Sequence, residues 1–195
     1  ILQARPETVK SQMKGQAEQR YKLKGQGTVL ADKQMVQQFI ADSYTELIPF
    51  RLPSYPYDAP TLDGWLQDLY RPGQLVETAD LLMHLTGHIF RSFRYEAREI
   101  MGVQVPSETI AKGSGTCRDF AVLMMEAARH WGFAARFVSG YIQMAEGQHG
   151  ATHAWTEIYL PGAGWQGFDP TNDKRVGREH IAVAVAREAA GPPRR

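Results

Sequence analysis

Between Phe120 and Trp131 the apolar residues recur as Phe120, Leu123, Met124, Ala127, Ala128 and Trp131. This is the i, i+3, i+4, i+7 spacing of a helix with one buried stripe. Thr116 stands where an N-cap is needed, and Asp119 stands where a capping-box acid reaches back. Gly132 closes the far end as a C-cap glycine. After it the period changes from helical to two. Residues 134–143 and then 153–160 alternate and are rich in aromatic and β-branched side chains, which predicts strands. Pro161-Gly162-Ala163-Gly164 is a turn signal, and Trp165 to Asp169 is the second arm of a hairpin, stopped by Pro170. On the first arm His153, Trp155, Glu157 and Tyr159 share a face; on the second, Trp165, Gly167 and Asp169 do. With Tyr159 opposite Trp165 the two sets point the same way. His153 then lies diagonally across from Asp169, ~7–8 Å away at the backbone.

Upstream, residues 74–91 predict a helix whose apolar face holds Leu75, Ala79, Leu82, Ile89 and Phe90, followed by a short strand at Phe93-Arg94-Tyr95. Residues 32–41 have a helical pattern, with Met35, Phe39 and Ile40 on one side, and the lysine-rich stretch 8–24 reads as a solvated helix or arm. Pro53, Pro56 and Pro60 make 50–60 an ordered irregular loop, whose Tyr55 and Tyr57 either cover the core or line a groove. Residues 143–152 read as a mobile polar loop, 178–190 as a strand, and 191–195 as a disordered tail. The organisation expected is an N-terminal helical and extended accessory region over 1–70, a core over 71–190, and the tail. The fold class is α+β, a helix packed on an antiparallel sheet.

The 195 residues, 43% hydrophobic, suffice for one core. A net charge of +1, from 22 basic and 21 acidic residues, gives no electrostatic footprint for nucleic acid or a membrane surface. No stretch approaches the ~20 apolar residues of a membrane span. A single cysteine forms no internal disulfide and suits a reducing compartment, so a cytoplasmic protein is expected. The chain starts Ile-Leu-Gln, with neither an initiating Met nor a signal-peptide core, as expected for a piece of something longer.

That one cysteine carries the chemistry. Cys117 opens the capped helix, level with unpaired backbone N–H groups and the positive end of the helix dipole. Such a position favours the thiolate, the nucleophilic form. His153 on the hairpin would share or take its proton, and Asp169 would orient the imidazole, giving a Cys-His-Asp arrangement for acyl transfer through a thioester. Thr116, Tyr141 and Trp155 are candidates for shaping substrate binding. His84 and His88 have metal-ligand spacing but neither a neighbouring Glu nor a third ligand, and His149 sits in a glycine-rich loop. No metal and no cofactor are expected, and nothing in the pattern bears on the oligomeric state.

The segments Gly113-Ser114-Gly115-Thr116-Cys117-Arg118-Asp119-Phe120-Ala121, Ala134-Ala135-Arg136-Phe137-Val138-Ser139-Gly140-Tyr141, His153-Ala154-Trp155 and Gly164-Trp165-Gln166-Gly167-Phe168-Asp169-Pro170-Thr171-Asn172 resemble the bacterial transglutaminase-like superfamily. The match spans roughly residues 75–175. The resemblance implies a papain-like α+β core in which Cys117, His153 and Asp169 match a catalytic triad, acting on a protein or peptide substrate. It leaves three outcomes open: a cysteine peptidase or amidase, a protein-glutamine amine transferase, or a non-catalytic peptide-binding module. Animal transglutaminases carry Trp just before the nucleophile where this chain has Thr116, and their acidic calcium loops have no counterpart here.

Overall fold

The computed structural model describes residues 45–70, 76–99, 101–143 and 151–189. The readings for 8–24, 32–41 and the 191–195 tail, for His149 and for most of the 143–152 loop fall outside these residues. Residues 45–51 are helical. A 3-10 turn at Pro56–Asp58 leads into helix α1, Ala59–Leu66. The expectation of an irregular 50–60 loop is corrected there. Pro60 occupies the first helical turn, where a missing N–H costs nothing, so the proline punctuation conceals a helix start. Tyr55 packs against the core, whereas Tyr57 is 95% exposed.

Helix α2, Thr78–Ser92, buries Leu81, Leu82, Leu85 and Ile89. Ala79 and Phe90, assigned to its apolar face from the pattern, are exposed, so the buried stripe is rotated from the one expected. Strand β1, Arg94–Tyr95, follows, then helix α3, Pro106–Lys112. Gly113 ends α3 in the left-handed region at φ 67°, a conformation that costs glycine little. It turns the chain into β2, Ser114–Gly115, which pairs in parallel with β1. This short ladder delivers the chain to helix α4, Cys117–His130.

Strands β3 (Ala135–Ile142), β4 (Ala151–Leu160), β5 (Gly164–Asp169), β6 (Lys174–Arg175) and β7 (His180–Ala186) form one antiparallel sheet in the order β6-β5-β4-β3-β7. Tyr159 pairs with Trp165 and Glu157 with Gly167, the register the hairpin pattern predicts. Strand β7 is an edge strand whose residues beyond His180 are exposed on both faces. It meets β3 with an irregularity between Ser139 and Gly140. A Cβ at position 140 would lie 2.0 Å from the Ile181 carbonyl oxygen and 3.0 Å from Cη2 of Trp155. Glycine is therefore what lets β7 approach this closely.

Helix α4 packs against β3 and β4 on one side and against α1, α2 and α3 on the others. It is buried from Asp119 to Arg129, not along one stripe alone. Such a helix is ordinarily apolar all round. Here, apart from the capping Asp119, the exceptions are Glu126 and Arg129, which neutralise each other with both side chains 0% exposed. Among the described residues no helix is long and apolar enough to cross a membrane.

Candidate functional site

Cys117 is the first residue of α4 and is partly buried. Its backbone is held through Asp119, whose side chain is 0% exposed. One oxygen, Oδ2, accepts the Thr116 N–H (2.8 Å) and the Thr116 hydroxyl (2.9 Å). The other, Oδ1, accepts the Gln104 N–H (2.7 Å) and pairs with Nη2 of Arg98 (2.8 Å). A carboxylate with four donors leaves no freedom at the helix start. The capping acid inferred from spacing thus aligns the first turn and ties it to the 98–104 segment.

Along β4, Ala154 and Ile158 are in the core beside α4, and Thr156 donates to the Ala121 carbonyl (2.7 Å). His153, Trp155, Glu157 and Tyr159 consequently point to the other face of the strand. His153 Nε2 lies 2.8 Å from Oδ2 of Asp169, and the Cys117 side chain is close enough to the ring to contribute to the upward shift of its pKa. With Nε2 committed to Asp169, the nitrogen left for the sulfur is Nδ1. The two oxygens of Asp169 divide two tasks, making a turn and holding the imidazole. Oδ1 accepts the backbone N–H groups of Thr171 (3.0 Å) and Asn172 (3.3 Å) and makes the turn. Oδ2 accepts from His153, from the Asn172 amide (2.7 Å) and from Nε2 of His180 (3.0 Å).

Charge follows this geometry. Burial alone would depress the pKa of His153, but the hydrogen bonds to Asp169 and Cys117 and the charges of both lift it to about 9. Burial would raise the Asp169 carboxyl, yet hydrogen bonds from His153, Asn172 and His180 and the His153 charge hold it at about 2. These shifts make stability pH-dependent. The Asp169 contribution is complete above its ordinary value of 3.8 and is lost as pH falls through about 2. The His153 contribution is complete below 6.5 and is lost as pH rises through about 9. Thermal midpoints across pH should therefore place this site's maximum contribution between 3.8 and 6.5. His153→Gln should flatten the alkaline-side loss; an unchanged decline would show that His153 is not its source.

Of the residues expected around the substrate, Tyr141 at the end of β3 is 47% exposed. Trp155 is 1% exposed and packs edge-on against the His180 ring at 5.2 Å, and Thr116, 4% exposed, spends its hydroxyl on Asp119. His84 is exposed, and the His88 ring packs against Trp65 at a tilt, centroids 4.9 Å apart. Three neighbours were missed. Tyr95, on the short strand before the site, feels Cys117: burial first, then the charge of that sulfur, raises its pKa. Asn172 and His180 both hold Asp169. Asn172 was visible in the Asp-Pro-Thr-Asn run, but nothing in the sequence marked His180 beyond its place at the start of an alternating stretch.

His153, Asp169 and His180 also form a group whose ligand atoms lie within 4.8 Å of one another, close enough to suggest a metal centre. The hydrogen bonds argue otherwise. Nδ1 of His180 accepts the Gly177 N–H at 3.2 Å. A neutral imidazole bound to a metal through Nε2 carries its proton on Nδ1, which would oppose that donor. Both ring nitrogens of His180 are thus already engaged in hydrogen bonds.

Residues 72–170 match the model of the transglutaminase-like superfamily. An uncharacterised protein of Mycobacterium tuberculosis is 32% identical over 125 residues, covering 58% of this chain and 40% of that protein. Another, from Mycobacterium leprae, is 35% identical over 80 residues, covering 38% and 28%. The chain thus spans less than half the length of the curated relatives it matches. Among solved structures, a candidate cysteine protease from Cytophaga hutchinsonii is similar with a TM-score of 0.62 and 25% identity, over 76% of this chain and 49% of that one.

Proposed function

We propose, from the premise that this chain belongs to the transglutaminase-like superfamily, that it is a thiol-dependent acyl-transfer enzyme cleaving amide bonds in protein or peptide substrates. One arrangement carries the reading: Asp169 holds Nε2 of His153 at 2.8 Å, and Cys117 lies near enough to the same ring to act on its pKa, with Nδ1 the nitrogen left for the sulfur. The imidazolium and the helix start both favour a thiolate at residue 117. The sulfur attacks the substrate carbonyl carbon, a C–S bond forms, and the carbonyl electrons move to oxygen. The backbone N–H of Cys117, at a helix start, is a donor for that oxyanion. Collapse breaks the C–N bond as Nδ1–H of His153 protonates the leaving amine, giving a thioester and neutral imidazole. Nδ1 then removes a proton from water, the hydroxide displaces the thiolate, and the carboxylic acid leaves. The likeness to a candidate cysteine protease supports water as the acceptor.

Iodoacetamide at pH 6 tests the first requirement. Cys117 should be alkylated at least about tenfold faster than free cysteine, which is largely protonated there, and Cys117→Ala should abolish the labelling. A peptide library should then show cleavage by the wild type and none by Cys117→Ala. Alkylation no faster than free cysteine would remove the nucleophile, and with it the reading. Incorporation of a fluorescent amine in place of hydrolysis would change the acceptor.

A further inference from the structure

His180 lies on β7, which is separated from β4 by β3 and from β5 by both β3 and β4. Its side chain is nonetheless 0% exposed and its Nε2 lies 3.0 Å from Oδ2 of Asp169, the oxygen His153 uses. The residues around it hold the ring on every side. Trp155 meets it edge-to-face at 5.2 Å, and His153 lies 5.9 Å away, centroid to centroid. Gly177 binds it twice, accepting the His180 backbone N–H at 3.1 Å and donating its own N–H to Nδ1 at 3.2 Å. A nitrogen that accepts carries no proton, so the neutral ring bears its hydrogen on Nε2 and directs it at the carboxylate.

We propose that His180 is a positioning residue of this site: a tautomer-locked, neutral N–H donor that fixes the Asp169 carboxylate for His153. The proposal rests on the acyl-transfer reading and deepens it. Asp169 is fully buried, and a buried carboxylate stays an effective anion only while its lone pairs are met by donors. His180 supplies one of the three donors to Oδ2. Without it the carboxylate is both less stable as an anion and less constrained in rotation. The support it gives the His153 imidazolium weakens, and so does the support the imidazolium gives a thiolate at Cys117. The other titratable groups facing the ring are His153 and Glu179. Glu179 has one oxygen 3.7 Å from Nδ1, and that oxygen accepts a hydrogen bond from Nζ of Lys174 at 2.8 Å. His180 thus has one strong partner for its proton.

Two variants separate donor from bulk. His180→Phe keeps the planar ring and removes the N–H; His180→Gln keeps an N–H close to the position of Nε2. Iodoacetamide alkylation of Cys117, followed from pH 6 to pH 10, should be about tenfold slower at pH 6 in His180→Phe, the scale of one hydrogen bond to a charged group. The difference should vanish toward pH 10, where any thiol is ionised. His180→Gln should stay within about threefold of the wild type throughout, a residual set by imperfect geometry. A merely structural role would not give a deficit confined to low pH and rescued by glutamine. If the wild type is activated and a folded His180→Phe reacts equally fast, this inference fails while the acyl-transfer reading survives. If the wild type itself reacts like free cysteine, that reading fails first. Should His180→Phe not fold, nitrogen NMR of wild-type histidines decides: His180 must show a protonated Nε2 and a bare Nδ1, and the opposite tautomer overturns the proposal. Stoichiometric zinc binding by the wild type, lost in His180→Gln, would also overturn it by making residue 180 a ligand.

Discussion

Asp169→Asn should lower turnover by about 10³–10⁴-fold, the scale seen when the orienting carboxylate of a catalytic triad becomes an amide. The cause is polarity. Both oxygens of Asp169 accept, Oδ1 from two backbone N–H groups and Oδ2 from His153, Asn172 and His180. An asparagine has one oxygen and one NH₂, so whichever way it turns it confronts donors with a donor. If the NH₂ faces His153, Nε2 must become an acceptor and the imidazolium is lost. If it faces the turn, the backbone N–H groups of Thr171 and Asn172 lose their partner. The substitution should therefore also cost about 1–3 kcal/mol of stability, the range for a buried group left without its hydrogen bond. Kinetics normalised to folded protein, alongside urea denaturation, separate the two effects. Turnover within tenfold of the wild type would mean that Asp169 shapes the turn and does nothing for the imidazole.

Arg129→Met should produce the largest loss of stability, about 3–5 kcal/mol, the usual cost of leaving a buried charge without its partner. Arg129 donates through Nη1 to Glu126 (2.7 Å) and to the Ser54 hydroxyl (2.8 Å). It also donates through Nη2 to the carbonyls of Ala135 and Arg187, and through Nε to the Phe50 carbonyl at 3.0 Å. Glu126 in turn accepts the backbone N–H groups of Ser54 (2.9 Å) and Tyr55 (3.2 Å). The pair thus clasps the 50–55 segment and the residue after β7 to the C-terminal half of α4. Methionine fills much of the volume but removes the counter-charge, leaving the buried carboxylate with only the backbone N–H groups of Ser54 and Tyr55. The thermal midpoint should fall on the order of 10 °C for a chain of this size. Replacing Glu126 with Leu in the same chain should recover part of the loss, because no buried charge then remains. A loss below about 1 kcal/mol, typical of an exposed ion pair, would contradict the burial that makes this pair matter.

The same helix marks where pattern reading stops. Apolar spacing located α4 and its capping residues, but one stripe implied one buried side. Glu126 and Arg129 fall outside that stripe. Their burial depends on α1 and on the 45–58 chain folding over them, and Pro53, Pro56 and Pro60 hide the helical start of that region. Ala79 and Phe90 fit an apolar face of α2 as well as Leu81 and Leu85 do. Which set turns inward is chosen by α4, a partner distant along the chain.

Local sequence alone determined the capped start that presents Cys117 and the hairpin that sets His153 and Asp169 on one face. Both follow from short-range rules: a capping residue acts within one turn, and a tight turn joining two alternating strands leaves one register that buries the apolar side. The tertiary structure alone decided that Cys117 comes near the His153 ring, that α4 is enclosed on all sides, and that His180 arrives at Asp169. The last contact needs a glycine at position 140, an irregular register between β3 and β7, and an edge strand brought across the sheet. None of these leaves a periodic trace, because each is a contact between segments whose separation along the chain the pattern does not record.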